Sequence, residues 1–169
     1  MMLFFRDFPR AITASENEVV SPADGTIVAI EDLEETPHYD GPTRRVSIFL
    51  SILSAHVNRA PYEGAVTHVE YAPGKFKNAM NPESSRVNES NAVWFNTPRG
   101  PMTVRQISGA VARRIVCPAA PGMNLEKGEK FGMIRFGSRT ELYLPPGTEV
   151  CVKLKDKVYA GSTVMARFS

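Results

Sequence analysis

A chain of 169 residues is long enough for one domain with a substantial core, and its 43% apolar and 22% charged residues exclude a disordered segment. No apolar run approaches the roughly 20 residues of a membrane helix. Two cysteines, Cys117 and Cys151, have neither metal-ligand spacing nor the pattern of a disulfide framework, which fits a reducing compartment. The net charge is only +2 but is unevenly spread: residues 1–70 hold 5 basic and 11 acidic side chains, and residues 71–169 hold 15 and 7. A basic second part favours an anionic membrane or a phosphate-bearing ligand, though scattered solubilising charge explains the same counts.

In chain order, the start "MMLFFRDFPR" sets Phe4, Phe5 and Phe8 beside Arg6 and Arg10, a composition suited to a headgroup region or to packing on the core. "SPADG" (21–25) reads as a β-turn, with Pro22 presetting φ and Asp24 able to bond the local backbone. In a functional reading, Asp24 instead points a carboxylate into a cleft to orient an imidazole. Strand signals follow in "GTIVAI" and the long run "RRVSIFLSIL", separated by the acidic loop "EETPHYDGP" with His38. "LSAHVNRAPYEG" (53–64) places His56 just after an apolar strand, either satisfied by backbone or aimed by a loop into a pocket. Further strands are read in "AVTHVEY", which carries His68, and in "NAVWFNT" and "MTVRQIS". "AVARRIVC" (110–117) is the best helix candidate. The remainder, "FGMIRFG", "TELYLP", "EVCVKL" and "STVMARF", is again strand-like, and 13 prolines and 12 glycines supply frequent turns. "PGMNLEKGEKFGMI" and "KDKVYAGSTVMARF" share a Gly a few residues before a returning strand, the rhythm of small β carrier modules. The predicted fold is therefore mainly β, a flattened β-sandwich of barrel-sandwich-hybrid type with few short helices, in a single domain spanning 1–169.

One dipeptide poses a chemical question. In "FGSRTE", Gly137-Ser138 is either an ordinary turn or a bond built to break. Self-cleavage needs the Ser hydroxyl to attack the preceding carbonyl, a base to take its proton and donors to hold the oxyanion. A preceding Gly tolerates the geometry and leaves the carbonyl open. The dipeptide alone does not decide between the two.

Taken together, "FFRDFPR", "SPADG", "AHVNRAPYEG", "ARRIVC", "EKGEKFGMIRFGSRTELYLP" and "VYAGSTVMARF" resemble the phosphatidylserine decarboxylase family in its short form, in family order and over nearly the whole chain. The resemblance implies a pyruvoyl enzyme made from its own backbone. Ser138 would attack the Gly137 carbonyl, and elimination and hydrolysis would leave a β chain of residues 1–137 and an α chain of 138–169 that begins with a pyruvoyl group. Asp24 and His56 match the family's Asp and His motifs. His56 would be the base for processing and a candidate proton donor, and Asp24 would orient it. The substrate amine of phosphatidylserine would form a Schiff base with the pyruvoyl ketone, lose carbon dioxide and yield phosphatidylethanolamine, with no metal. The resemblance further implies association of the α and β chains, a homodimer, a peripheral position on the cytoplasmic face of the cell membrane and no nucleic-acid partner. Two alternatives remain open from sequence. One is a pyruvoyl decarboxylase acting on another serine lipid, such as an archaetidyl lipid, or on a soluble amino acid. The other is a non-catalytic lipid-binding or carrier β module, with Lys155 or Lys157 near a hairpin tip.

Overall fold

The computed structural model describes residues 14–36, 38, 41–50, 57–75, 78–109, 115–134 and 138–168. His56, Gly137 and the Phe-rich start lie outside these residues. Fourteen strands are formed among them: β1 (Glu18–Val20), β2 (Gly25–Leu33), β3 (Thr43–Leu50), β4 (Val57–Arg59), β5 (Gly64–Ala72), β6 (Ser90–Thr97), β7 (Gly100–Ile107), β8 (Ile115–Val116), β9 (Asn124–Leu125), β10 (Lys130–Ile134), β11 (Ser138–Leu144), β12 (Glu149–Val150), β13 (Lys157–Val158) and β14 (Val164–Arg167). The single described α-helix, α1 (Ser84–Val87), is one turn long.

The mainly β expectation holds. Eight strands form one curled sheet in the order β13-β2-β3-β11-β7-β6-β5-β9, and two three-stranded sheets, β1-β14-β12 and β4-β10-β8, complete the fold. Every pairing is antiparallel among the named strands. The β6–β7 hairpin arises because two strand-forming runs are broken by a two-residue connection, Pro98-Arg99, followed by Gly100.

The helix expected at 110–117 is not found where that stretch is described: Ile115 and Val116 form β8 and pair with Ile134 and Met133. Two adjacent β-branched residues fit a pleated edge better than a helix interior, and β10 offers them a partner.

β11 is central. Its residues pair with β3 from Ser138↔Leu50 to Leu144↔Arg44, and with β7 from Arg139↔Ile107 to Tyr143↔Thr103. All seven residues of β11 are buried. The pleat sends Ser138, Thr140, Leu142 and Leu144 to one face and Arg139, Glu141 and Tyr143 to the other. The first face contributes to the main core, where Leu142 and Leu144 join Val46, Ile48, Leu50, Val104, Phe95, Phe131 and Ile134. The second face is polar and covered by the segment around α1. Ser85 Oγ donates to Glu141 Oε2, and Arg139 donates to the Ala79 carbonyl at 3.4 Å.

Candidate active site

β2 begins, β3 ends and β11 begins at the same end of the large sheet. Thr26 pairs with Phe49 and Leu50 with Ser138, so the SPADG loop and Ser138 sit on either side of the β3 exit. β13 ends there too, with Val158 paired to Gly25. Gly25 is required by close approach: a Cβ there would lie 2.2 Å from the Phe49 carbonyl oxygen. Any side chain at this position would part β2 from β3.

Ser138 is fully buried, and its Oγ has no hydrogen-bond partner among the described residues. A buried hydroxyl without a partner forgoes its solvation, so such a group calls for an explanation in function or bound solvent. Asp24 is also buried, and the Ala160 N–H donates to its Oδ1 at 2.6 Å. One carboxylate oxygen is thereby fixed from the β13–β14 connection. The Gly161 N–H donates to the Ser21 carbonyl at 2.9 Å and fastens the same connection to the same loop.

A chain of buried amides runs toward this end of the sheet. Asn91 Nδ2 donates to Gln106 Oε1 at 3.0 Å, and Gln106 Nε2 donates to Asn58 Oδ1 at 2.9 Å. Asn58 Nδ2 in turn faces the Pro22 carbonyl and Thr140 Oγ1, each at 3.4 Å. Arg59, next in the chain, donates its backbone N–H to Pro22 at 2.9 Å and its Nη1 to the Gly128 carbonyl at 2.8 Å. Gly132 in β10 leaves room for this chain, because a Cβ there would meet Gln106 Nε2 at 3.0 Å and the Val116 carbonyl at 2.8 Å.

On the opposite face, Glu141 is completely buried within 3.0 Å of Arg105, 3.7 Å of Arg45 and 3.8 Å of Arg139. Burial alone would raise its carboxyl pKa, but the Arg105 and Arg45 charges and the Ser85 and Tyr143 hydroxyls hold it below the usual carboxylate range. Burial lowers the Arg139 pKa, against the pull of Glu141. Burial and the Glu141 charge push the Tyr143 phenol up to about 12. His38 packs edge-on to Tyr143 and Trp94, with ring centroids 4.6 and 5.7 Å away. Burial and the Arg105 charge lower its pKa to about 4. This cluster locks the covering segment onto the sheet.

The structure thus brings Asp24 and Ser138 to one end of the sheet. Gly137 and His56 lie outside the described residues, although Val57, which follows His56 in sequence, pairs with Met133 of β10. Asn58 and Gln106 carried no assignment from sequence. Asn58 stands inside the "AHVNR" stretch, but an Asn at a strand position gives no sign of what it bonds. Glu141 was equally silent, since "TELYLP" reads in sequence only as a strand. Among the described residues, no group of His, Cys, Asp and Glu is placed to hold a metal ion, and Cys117 and Cys151 are free thiols. Two open clefts, about 560 Å³ beside Pro145–Thr148 and about 650 Å³ beside Gly64 and Asn124, are lined by neither Asp24 nor Ser138.

Comparison with known proteins extends over all of these segments. The family model described as phosphatidylserine decarboxylase matches residues 1–166. A phosphatidylserine decarboxylase proenzyme of Nitrosomonas europaea is 45% identical over 169 residues, covering 99% of this chain and 78% of the relative. Proenzymes of the same name from Magnetococcus marinus and Gluconacetobacter diazotrophicus are each 47% identical, covering 97% and 98% of this chain and 76% of either relative. A match of this extent, running through the Asp24 loop and the Ser138 strand alike, places the chain in the phosphatidylserine decarboxylase family.

Proposed function

We propose that this chain is a proenzyme that cuts itself at Gly137-Ser138 and then decarboxylates phosphatidylserine to phosphatidylethanolamine and carbon dioxide. The observation that carries the reading is the Ser138 hydroxyl, fully buried and unpartnered among the described residues at the head of a strand paired on both sides. A nucleophile held in this way is free for attack, while the β11 pairing fixes its direction.

Ser138 Oγ attacks the Gly137 carbonyl carbon. The C–N bond breaks, the Ser138 nitrogen takes a proton, and an ester joins the two residues. Loss of the Ser138 α-proton then expels the Gly137 carboxylate, which becomes the end of the 1–137 chain. The resulting dehydroalanine carries a free amine; it tautomerises to an imine and takes up water, releasing ammonia and leaving a ketone at residue 138. His56 is assigned the proton transfers from its sequence motif, and Asp24 is the carboxylate that orients it. Asp24 is buried, and the Ala160 N–H holds one of its oxygens in place. The pyruvoyl group supplies an electron-accepting carbonyl that takes the substrate amine and accepts the electrons left by departing carbon dioxide. The fit is consistent with the Ser138 side chain, whose oxygen has no competing partner among the described residues.

The new chains stay associated in this reading, because residues 138–168 supply β11 to the centre of the large sheet and β13 and β14 to pairings with β2 and β1. Contact with the cytoplasmic face of the membrane is peripheral. It is supported by the basic sheet edge at 153–159, where Lys153, Lys155 and Lys157 are exposed beside Leu154 and Tyr159, which are 57% and 53% accessible. A homodimer is proposed on family likeness.

The test is a denaturing intact-mass spectrum of fresh protein with and without a carbonyl-reactive hydrazine. Two species corresponding to 1–137 and 138–169, with the smaller taking up the reagent, are expected. Ser138→Ala should give one unreactive full-length chain with no decarboxylase activity on phosphatidylserine vesicles. A wild-type chain that remains whole and unreactive under conditions where relatives mature would refute the reading.

A further inference from the structure

We infer that Asn58 is a positioning residue for self-cleavage, its single amide clamping the loop that carries Asp24 to the strand that carries Ser138. The inference rests on the reading that Ser138 attacks Gly137, and it concerns what sets the geometry of that attack.

Asn58 is completely buried, and its partners come from three distant parts of the chain. They lie 36 residues away at Pro22, 82 at Thr140 and 48 at Gln106. Pro22 stands two residues before Asp24. Thr140 stands two residues after Ser138 and, by the pleat of β11, on the same face of the sheet. Asn58 itself is in β4, whose pairing with β10 leads to Ile134, four residues before Ser138. One amide therefore touches the segments on both sides of the reacting centre.

The orientation of that amide is determined from deeper in the core. Asn91 donates to Gln106 Oε1, so the Gln106 amino group faces Asn58. Asn58 must then present its oxygen to Gln106 and its amino group to Pro22 and Thr140. A flipped Asn58 would set its amino group against that of Gln106 and its single oxygen against the Pro22 carbonyl oxygen. The main core cluster is built of apolar side chains, Ile48, Leu142 and Val104 among them. Threading three amides through it forgoes hydrophobic packing, and what such a fully connected chain provides is a unique arrangement of the segments it joins. The Ala160 N–H on Asp24 braces the loop from a further side, while the Arg59 N–H of β4 shares the Pro22 carbonyl with Asn58. Asn58 is the contact that refers the loop to β11.

The experiment follows the uncut fraction of freshly translated chain against time by intact mass at 25 °C. Thermal midpoints are measured separately in the uncuttable Ser138→Ala background. Asn58→Ala should slow cutting about 10- to 100-fold, the effect of a misplaced reacting group. Thr140→Val, nearly isosteric and lacking only the hydroxyl, should slow it about threefold or more. Thr140→Ser should restore the wild-type rate. The double variant Asn58→Ala/Thr140→Val should be no slower than Asn58→Ala alone, because both changes sever the same link. Val93→Ala, a core change on β6 outside the clamp, should lower the thermal midpoint without slowing cutting.

A wild-type rate for Asn58→Ala overturns the clamp. So do effects of the two single changes that multiply in the double variant, or a slowing by Val93→Ala in step with lost stability. If Asn58→Ala does not fold, Thr140→Val decides alone: cutting at the wild-type rate refutes the proposal. A wild-type chain that never cuts refutes the Ser138 reading itself, whereas a wild type that cuts no faster than its Asn58 variant refutes only the clamp.

Discussion

Ser138 and Glu141 stand three residues apart in one strand, both completely buried, yet their chemistry diverges because of what faces them. The Ser138 hydroxyl meets no partner among the described residues, while Glu141 meets three arginines and two hydroxyls. Removing the Glu141 charge leaves the buried Arg139 and the half-buried Arg45 and Arg105 without their shared anion, so Glu141→Gln is expected to destabilise the fold by about 3–5 kcal/mol. Urea unfolding in the Ser138→Ala background measures this without interference from cutting. His38 gives a pH signature. Its folded pKa of about 4 lies below the unfolded value of roughly 6.5, so between these values the unfolded chain binds the extra proton. Stability from this group is full above about pH 6.5 and is lost as pH falls toward 4. The groups that set this value are Arg105, Glu141 and Glu70, with the Tyr143 and Trp94 rings against the imidazole. His38→Phe should flatten the thermal midpoint between pH 6.5 and 4.5, and an unchanged slope would show that the imidazole does not titrate in this way.

Strands β2, β3 and β11 form the frame of the site, and their spacing is sensitive to a single methyl group. Gly25→Ala would press a Cβ into the Phe49 carbonyl, 2.2 Å away, so β2 must move. The expected penalty is about 1–3 kcal/mol, together with slower maturation, since the SPADG loop moves with β2. Chemical denaturation and a cleavage time course measure the two effects separately. β2, β3, β5, β6, β7, β10, β11 and β14 were all visible in sequence as alternating or β-branched runs between turn residues. At 115–116 the helix expectation fails, because basic and apolar spacing suits a helix locally whereas pairing with β10 determines the state of Ile115 and Val116. The one-turn helix α1 was not visible either. "SSRV" has weak helix propensity, and Ser85 owes its place to Glu141 across the sheet.

For the whole molecule, the proposed cleavage at Gly137-Ser138 would sever the chain without severing the sheet. The 138–169 piece keeps β11 between β3 and β7, so the two chains should co-elute in native gel filtration and separate only in denaturant. Separation in native buffer would contradict the central place of β11. Binding to anionic vesicles should weaken as salt rises, and replacing Lys153, Lys155 and Lys157 with Glu should weaken it further; unchanged binding would remove this edge from the membrane contact. The sequence by itself determined the mainly β class, the strand pattern and the identity of Asp24, His56 and Ser138 as candidates, because side-chain period, turn chemistry and motif order are local properties of the chain. Only the tertiary structure decided that Asp24 and Ser138 share one end of a sheet, that the polar side of β11 is buried over Glu141, and that Asn58 joins loop to strand. The physical reason is that hydrogen bonds and ion pairs across tens of residues depend on strand register, and register is set by the packing of the whole sheet.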